Sequence, residues 1–466
     1  MNIIPLNGHN MSRWITNRLE ENIYRVNILH SKEFNNIKHF KHHVSNLNNF
    51  TNILYILSNK MSTPSSKEVA IIGSGLSGLT LALALQQNNI KCRVYESRPA
   101  PLNIGGAVML SPNALKILKA LNVYDRLRHK GYNFDNLEYR TAGDGKLVEI
   151  QEFGSEEKYG FPALRIYRHI LITELLEMFK EQDIPITFGK KFSHITSETD
   201  KQVEWEFADG TTGTAPLLIG ADGIHSTVRR YLYPDLETKF TGMVGITAAV
   251  PTSQLQLPEG YHIPVTIMSP KGAFVIAPQQ EDGSEVLIGK QLRIEEKDRA
   301  GWNDLSNNKE ESVEFLQSNN DLFPEIVHNA VSKISHDKIN AWPFYIVPKL
   351  DNWVSKNRRV VILGDAAHAI PPSAGQGINQ AFEDVYIFAL LLAKSDKGDT
   401  QKALSFWQEY RQKRVGKVLE LNQQIDLRRL PGNSADQKRE PFELSWLYNA
   451  DFEADVQEWV DQQERH

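Results

Sequence analysis

Lys67-Glu-Val-Ala-Ile-Ile-Gly-Ser-Gly-Leu-Ser-Gly-Leu-Thr-Leu-Ala-Leu-Ala-Leu85 is the stretch that decides the fold of this chain. Val69–Ile72 is a short apolar run of the kind a buried strand makes. Gly73, Gly75 and Gly78 follow at the spacing G-x-G-x-x-G, and Leu79–Leu85 continues as an Ala/Leu-rich helix. Strand, glycine turn and helix together open a dinucleotide-binding βαβ unit. Gly73 permits the turn, Gly75 lets backbone approach a pyrophosphate, and Gly78 lets helix and strand pack closely. The helix N-terminus then offers unpaired N–H groups and a partial positive charge to the phosphates.

A lone glycine fingerprint is a weak signal, but the next strand supports it. Lys91-Cys-Arg-Val-Tyr-Glu96 ends in an acid 18 residues beyond Gly78, where a ribose-binding carboxylate belongs.

The chain has 466 residues, enough for two or three domains and a large core. Its net charge of -5 gives no sign of a nucleic-acid surface. The single cysteine, Cys92, excludes an internal disulfide and a C-x-x-C redox pair, and reads as a small buried apolar residue. No stretch reaches about 18 uninterrupted apolar residues, so no membrane span is expected. No convincing metal-ligand cluster is present; His39-Phe-Lys-His-His43 has poor ligand spacing. Residues 1–62 are rich in Asn and His and lack a clear period, so they read as a poorly ordered extension. Met61-Ser-Thr-Pro-Ser-Ser66 looks like an ordinary protein start. The extension is somewhat basic, but Arg is sparse and Glu20, Glu21 and Glu33 intervene. That makes it a poor mitochondrial presequence, and a cytoplasmic location is the expectation.

Further along, Gly105 and Gly106 mark a place where backbone can approach a ligand, and Pro112 starts a helix. Arg165-Ile-Tyr-Arg168-His-Ile-Leu171 is expected to open another helix, running to about Lys180. A cation at Arg168 opposes the helix dipole, so it calls either for a bound anion or for an acid such as Glu174. Glu204-Trp-Glu-Phe-Ala-Asp-Gly210 alternates into a hairpin turn. Leu217-Leu-Ile-Gly-Ala-Asp222-Gly223 places a carboxylate at the C-terminal end of an apolar strand, the edge where open α/β sheets bind ligands. An Asp that caps its own βα turn would look the same. A helix is expected after it, with Ser226 at its N-cap. Residues 241–345 show alternating runs and no glycine-rich strand–helix turn, which predicts a mainly antiparallel sheet inserted into the α/β layer, with a helical acidic piece around 303–334.

Arg359-Val-Val-Ile-Leu-Gly364-Asp365-Ala-Ala-His368 forms a second buried strand that ends in an acid, followed by Pro371, Pro372, Gly375 and Gly377 in a loop. Ile378, Ala381, Phe382, Val385, Ala389 and Leu392 then mark one face of a long helix. Asp365 suits sugar-alcohol hydroxyls, and the helix N-terminus after Gly377 suits an anionic ring edge. His368, flanked by alanines, reads as a packed histidine more readily than as a base.

These three segments together resemble the single-component FAD-dependent monooxygenases of the aromatic-hydroxylase type, similar to salicylate hydroxylase and to monooxygenases of fungal secondary metabolism. The resemblance runs over about residues 66–450. It implies an α/β fold: a Rossmann-like FAD-binding domain, an inserted mainly antiparallel β-sheet substrate domain and a C-terminal helical region. The expected boundaries are 66–240 and 346–395 for the FAD-binding domain, 241–345 for the insertion and 396–466 for the helical region. It further implies that FAD is held by Gly73, Gly75 and Gly78, with Glu96 on the adenosine ribose and Gly106 and Ala107 along the cofactor. Arg168 would lie near pyrophosphate and flavin, Asp222 in a motif tied to both FAD and NAD(P)H, Asp365 on the ribitol, and Gly375, Gly377 and Ile378 against the isoalloxazine. The implied reaction uses NADH or NADPH and O₂ to hydroxylate or epoxidise an aromatic or polyketide- or terpenoid-like small molecule through a C4a-hydroperoxyflavin. A flavin-dependent dehydrogenase or reductase, or a non-catalytic FAD-binding protein, would share the fold. No general base is identifiable; His225, Tyr261, His262 and Tyr345 qualify by chemistry alone.

Overall fold

The computed structural model describes residues 68–101, 106–395, 400–429 and 442–465. The expectations for residues 1–62 and for Gly105 lie outside them. At the centre is a five-stranded sheet in the order β18–β12–β1–β2–β8, parallel throughout: Val360–Ile362, Leu218–Gly220, Val69–Ile72, Cys92–Tyr95 and Ile186–Thr187. The strands are buried, as the covered faces of a parallel sheet require. Their register matters for the site. Ile72 stands opposite both Tyr95 and Gly220, and Gly220 opposite Ile362. Four strands therefore end in line, and Gly73, Glu96, Ala221 and Leu363 leave the sheet along one carboxyl edge.

Helix α1 (Leu76–Gln87) follows β1 and is buried from Gly78 through Leu85. Its close approach to the glycine turn depends on Gly78, where a Cβ would lie 2.0 Å from the Gly73 carbonyl oxygen. Helix α2 (Pro112–Ala120) starts with Pro112 in its first turn. The stretch expected to open a helix at Arg165 is instead a strand, β7 (Ala163–Tyr167). It lies between β3 (Ala107–Leu110) and β4 (Tyr132–Phe134), and helix α3 (Arg168–Glu181) begins only at Arg168. The alternation of buried Leu164 and Ile166 with Arg165 and Tyr167 suits a strand, and pairing with β3 supplies its hydrogen bonds. β9 (Phe192–Glu198), β10 (Val203–Phe207) and β11 (Thr212–Ala215) form a separate antiparallel sheet containing the expected hairpin.

The larger sheet has seven strands in the order β17–β13–β16–β15–β14–β5–β6: Ile339–Ile346, Lys239–Pro251, Glu285–Arg293, Gly272–Pro278, Val265–Ser269, Asn136–Thr141 and Leu147–Glu152. All its pairs are antiparallel except β14 with β5. It thus recruits a hairpin from well before residue 241, within the stretch expected to belong to the FAD-binding domain. One face, with Val244, Ile246, Phe274, Ile276 and Ile288, packs under helices α4 (Arg299–Asn307), α5 (Lys309–Gln317) and α6 (Glu325–Ser332). The other face meets the β3–β7–β4 sheet, where Leu137, Tyr139, Phe134, Phe153 and Ala163 cluster.

Helix α7 (Gly377–Lys394) is not one-sided as expected. It is buried all round, including Asn379, Gln380, Glu383 and Asp384. The cause is helix α8 (Thr400–Arg429), which lays Trp407, fully buried Arg411, Val415 and Val418 along the chain and brings two guanidiniums to α7. Arg411 binds both carboxylates, with Nε 2.8 Å from Asp384 Oδ1 and Nη1 on Glu383, and it also donates to Gln380 Oε1 at 2.7 Å. Arg414 donates to Glu383 through Nε at 2.6 Å and Nη2 at 2.9 Å. Asp384 Oδ2 accepts the Gly364 N–H at 2.8 Å and is bound by His368 Nε2 at 2.5 Å. Helix α9 (Phe452–Glu464) closes the chain against α7 through the Tyr386 hydroxyl, which donates to Glu453. Among the described residues no helix is long and apolar enough to cross a membrane.

Burial alone would raise the carboxyls of Glu383 and Asp384. Arg414 and Arg411 beside the first, and His368 and Arg411 beside the second, hold both below the ordinary carboxylate range. A depressed folded-state pKa means that this stability is present above the ordinary carboxylate range and is lost as pH falls below it. Arg411→Met leaves one guanidinium for two buried acids and should cost about 3 kcal/mol at pH 7 in denaturant titrations, with the gap to wild type narrowing in acid. Gly78→Ala should cost about 3 kcal/mol by the same measurement, since backbone rather than a mobile side chain blocks the new methyl.

Candidate functional site

The carboxyl edge of the central sheet collects four of the expected segments. Gly73 adopts φ +107°, and a Cβ there would lie 2.4 Å from the Ala221 carbonyl oxygen, so the first glycine turn and the Gly220–Asp222 segment are in direct contact. Gly75 is the N-cap of α1 and has open space where its Cβ would be. No side chain caps that helix, so its first N–H groups remain available to a ligand. Gly106 likewise has open space, and its carbonyl faces the Arg168 N–H at 3.4 Å. Ala107 opens β3 beside it.

Glu96 is buried just beyond β2. Its Oε2 accepts the Ser74 N–H at 3.0 Å and the Ser74 hydroxyl at 2.8 Å, and its Oε1 accepts the Arg98 N–H at 2.8 Å and the Ser97 hydroxyl at 3.0 Å. Burial would raise this carboxyl, but the amides of Arg98 and Ser74 and the two hydroxyls hold it below the usual range. The two amide donors fix its orientation. The two hydroxyls can rotate away, and that leaves acceptor capacity for a ligand's hydroxyls.

Asp222 turns back on its own loop. Its carboxylate accepts from Ser226 Oγ at 2.5 Å and from the N–H groups of Thr227 and Val228 at 2.7 and 3.1 Å. The helix expected there is a single turn, Arg229–Leu232, with Ser226 Oγ accepting the Arg229 N–H. Buried Arg229 ties this loop to the next segment, donating to the Ala366 and Ile224 carbonyls at 2.9 and 2.7 Å. Asp222 thus shapes the site through its turn rather than by presenting a carboxylate.

Asp365 behaves in the opposite way. It follows Gly364, whose φ of +57° sends the chain sharply around at the end of β18. The carboxyl is closely surrounded by protein atoms, yet its side chain is accessible to solvent. It makes no hydrogen bond among the described residues. Those surroundings raise its carboxyl, an effect offset in part by His368 and Arg168. Arg168, at the start of α3, is exposed and forms no ion pair among the described residues; Glu174 is taken by Lys130. The Gly375 turn has φ +63°, and α7 then begins at Gly377 with no side-chain cap and open surroundings. Ile378 is half-buried in its first turn.

His368 is packed against Trp353, its ring bound to Asp384, and holds the Gly364 turn. Tyr345 takes the Trp302 indole N–H at 3.0 Å, His262 bonds the Asn136 carbonyl at 2.8 Å, and Tyr261 lies beneath Arg140. Each of these three candidate bases has a structural partner. Sequence reasoning missed the layer beneath α7, where Ser111 N–H, Asn113, Gln376 and Asn379 join Glu383 in one buried polar network. The one available signal was Glu383-Asp384 in the middle of an apolar helix. Among the described residues no cluster of potential metal ligands occurs.

Two helix N-termini without a side-chain cap, an accessible carboxylate and a guanidinium that have no partner among the described residues, and open Cβ positions at Gly75 and Gly106 fit a long, anionic, hydroxyl-bearing dinucleotide. The comparisons agree with that fit. Residues 66–421 match the FAD binding domain family. A 3-amino-4-hydroxybenzoate 2-monooxygenase of Streptomyces platensis is 30% identical over 359 residues, covering 75% of this chain and 85% of that protein. A hispidin-3-hydroxylase of Neonothopanus nambi is 29% identical over 377 residues, covering 76% and 87%. A salicylate hydroxylase in complex with substrate superposes with a TM-score of 0.68 at 24% identity over 84% of this chain and 98% of that one, which bears on the fold. The chain belongs to the FAD-dependent, aromatic-hydroxylase type of flavoprotein monooxygenases.

Proposed function

We propose that this protein takes reducing equivalents from NADH or NADPH and uses O₂ to hydroxylate an aromatic small molecule. The observation that carries the cofactor placement is Asp365: a solvent-accessible carboxylate at the carboxyl edge of the central sheet, without a hydrogen bond among the described residues and within the influence of Arg168. Bound FAD supplies the redox chemistry, accepting a hydride and activating O₂ for transfer of one oxygen atom.

The chain's own residues bind and orient. Gly73, Gly75 and Gly78 bring the α1 N-terminus against the pyrophosphate, and Arg168 adds a positive charge nearby. Glu96 accepts from the adenosine ribose, Gly106 and Ala107 line the cofactor, and Asp365 accepts from the ribityl hydroxyls. The Gly375, Gly377 and Ile378 turn would hold the flavin end of the cofactor, where the positive end of α7 suits an electron-rich ring edge. Asp222 acts by holding the loop that abuts Gly73. The seven-stranded sheet would cover the substrate side, where exclusion of water protects the reaction.

Asp365→Ala should weaken FAD binding on the order of 10- to 100-fold, as for loss of one to two hydrogen bonds to a charged acceptor, while the fold is kept. Equilibrium titration of the apoprotein measures it, and unchanged affinity would remove Asp365 from the ribityl position. Turnover is tested by NADH and NADPH oxidation against a panel of phenols and hydroxylated aromatic acids under labelled O₂. One labelled oxygen atom in the product is expected. Oxidised product without label would point to a dehydrogenase.

A further inference from the structure

An open cleft of about 430 Å³ lies between the β4–β5 turn and the loop that leads into β14, and none of the cofactor-binding segments lines it. A cleft of this size suits a small organic molecule. Its place follows from the strand register. Tyr132 of β4 stands opposite Arg165 of β7, and Arg165 stands opposite Met109 of β3, the residue beside the Gly375 turn. The cleft is thus separated from that turn by the width of the three-stranded sheet. Tyr132, Asp135 and Asn136 line it from one segment, Tyr261 and His262 from the other. Both segments are held by backbone. The Asp135 carbonyl accepts the Phe153 and Gly154 N–H groups at 2.7 and 3.1 Å, and the Glu138 N–H donates to the Pro264 carbonyl at 3.2 Å. His262 Nε2 bonds the Asn136 carbonyl at 2.8 Å and joins the two segments.

The lining offers acceptors and aromatic rings but no Lys or Arg. The Asp135 carboxylate is exposed, and it has no hydrogen bond or ion pair among the described residues. Its surroundings, and then the charges of Glu152 and Glu156, push it above the ordinary carboxylate range. His262 donates from Nε2 to a carbonyl, so Nδ1 of the neutral ring is an acceptor. Arg140 lies over the Tyr261 ring at 5.2 Å, but its guanidinium is committed to Glu138 at 2.7 Å and to the Gly145 carbonyl at 3.0 Å. An anion entering the cleft would meet Asp135 with no counter-charge, in the field of two further acids. An organic cation with N–H donors meets the opposite situation. Its charge satisfies the carboxylate by charge-assisted hydrogen bonds, and its body packs on tyrosine rings whose faces attract cations.

We propose that this cleft is a second small-molecule site and that it takes a primary arylalkyl amine in its protonated form, with the ammonium on Asp135 and the ring against Tyr132 and Tyr261. Binding there needs neither flavin nor turnover, so it stands apart from the oxygenation proposed above. Because Asp135 is exposed, the ammonium displaces water from it, and the preference over a neutral ligand is modest rather than absolute.

Calorimetric titration of the FAD-loaded protein at about pH 7 with benzylamine, benzyl alcohol and benzoate provides the test, with the visible flavin spectrum followed in parallel. Wild type should bind benzylamine about tenfold more tightly than benzyl alcohol, with benzoate the weakest of the three and the flavin spectrum unchanged. Asp135→Asn should reduce benzylamine to the affinity of benzyl alcohol and leave FAD stoichiometry as in wild type. Tyr132→Ala should weaken benzylamine about fivefold or more, and it decides the question together with wild type if the asparagine variant fails to fold. Four results would overturn the proposal: no measurable amine binding, or equal affinity for amine and alcohol, in wild type; an amine preference that survives Asp135→Asn; wild-type amine affinity in Tyr132→Ala; or a flavin spectrum that shifts as the amine binds, which would place the amine at the cofactor instead.

Discussion

Glu383 and Asp384 stand side by side in the middle of an apolar helix with no solvent exposure, and the geometry around them depends on how they are neutralised. Arg411 and Arg414, one turn apart on α8, supply two positive charges for two negative ones. Hydrophobic residues of the same shape could fill this volume at no loss of stability. What the ions add is direction. Asp384 has one oxygen committed to Arg411, and the other fixes the Gly364 amide and the His368 ring, so the turn carrying Asp365 has one orientation.

The same cluster sets the start of α7. Glu383 receives Asn113 from α2, Gln376 bridges to Ser111, and Asn379 holds the Met109 carbonyl at 3.1 Å. The Gly375–Gly377 turn is thereby fixed to β3, and through β3 to β7 and the seven-stranded sheet. A helix N-terminus contributes to catalysis only if it is already aimed, because reorientation during reaction would consume the electrostatic advantage. The polar layer beneath α7 fixes that N-terminus in a helix whose other buried residues are apolar.

Much of this was legible in the sequence, for physical reasons that differ by segment. The two buried strands ending at Gly73 and Gly364 announce themselves because a parallel strand covered on both faces must be apolar without interruption, and a sharp exit must be glycine. The resemblance to aromatic hydroxylases rests on those exits, and it gave the fold class. The hairpin β5–β6 was missed because membership of a sheet is a long-range fact: β5 pairs with β14, more than a hundred residues later. Strand β7 was read as helix because its apolar residues merge into those of α3 without a break. Arg411 and Arg414 were invisible because, on a long polar helix, a guanidinium bound for the core looks like one bound for solvent. Asp222 and Asp365 occupy equivalent ends of neighbouring strands, and only the structure separates the carboxylate that caps its own turn from the one left accessible without a hydrogen bond among the described residues.

The central claim is that glycine and acid corners hundreds of residues apart converge on one extended cofactor. Hydrogen–deuterium exchange of the apoprotein with and without FAD tests it most directly. The account predicts that amides of 73–79, 364–368 and 375–380 gain protection together, at the same FAD concentration. Protection confined to 73–79, with the Gly364 and Gly375 turns exchanging as before, would contradict it.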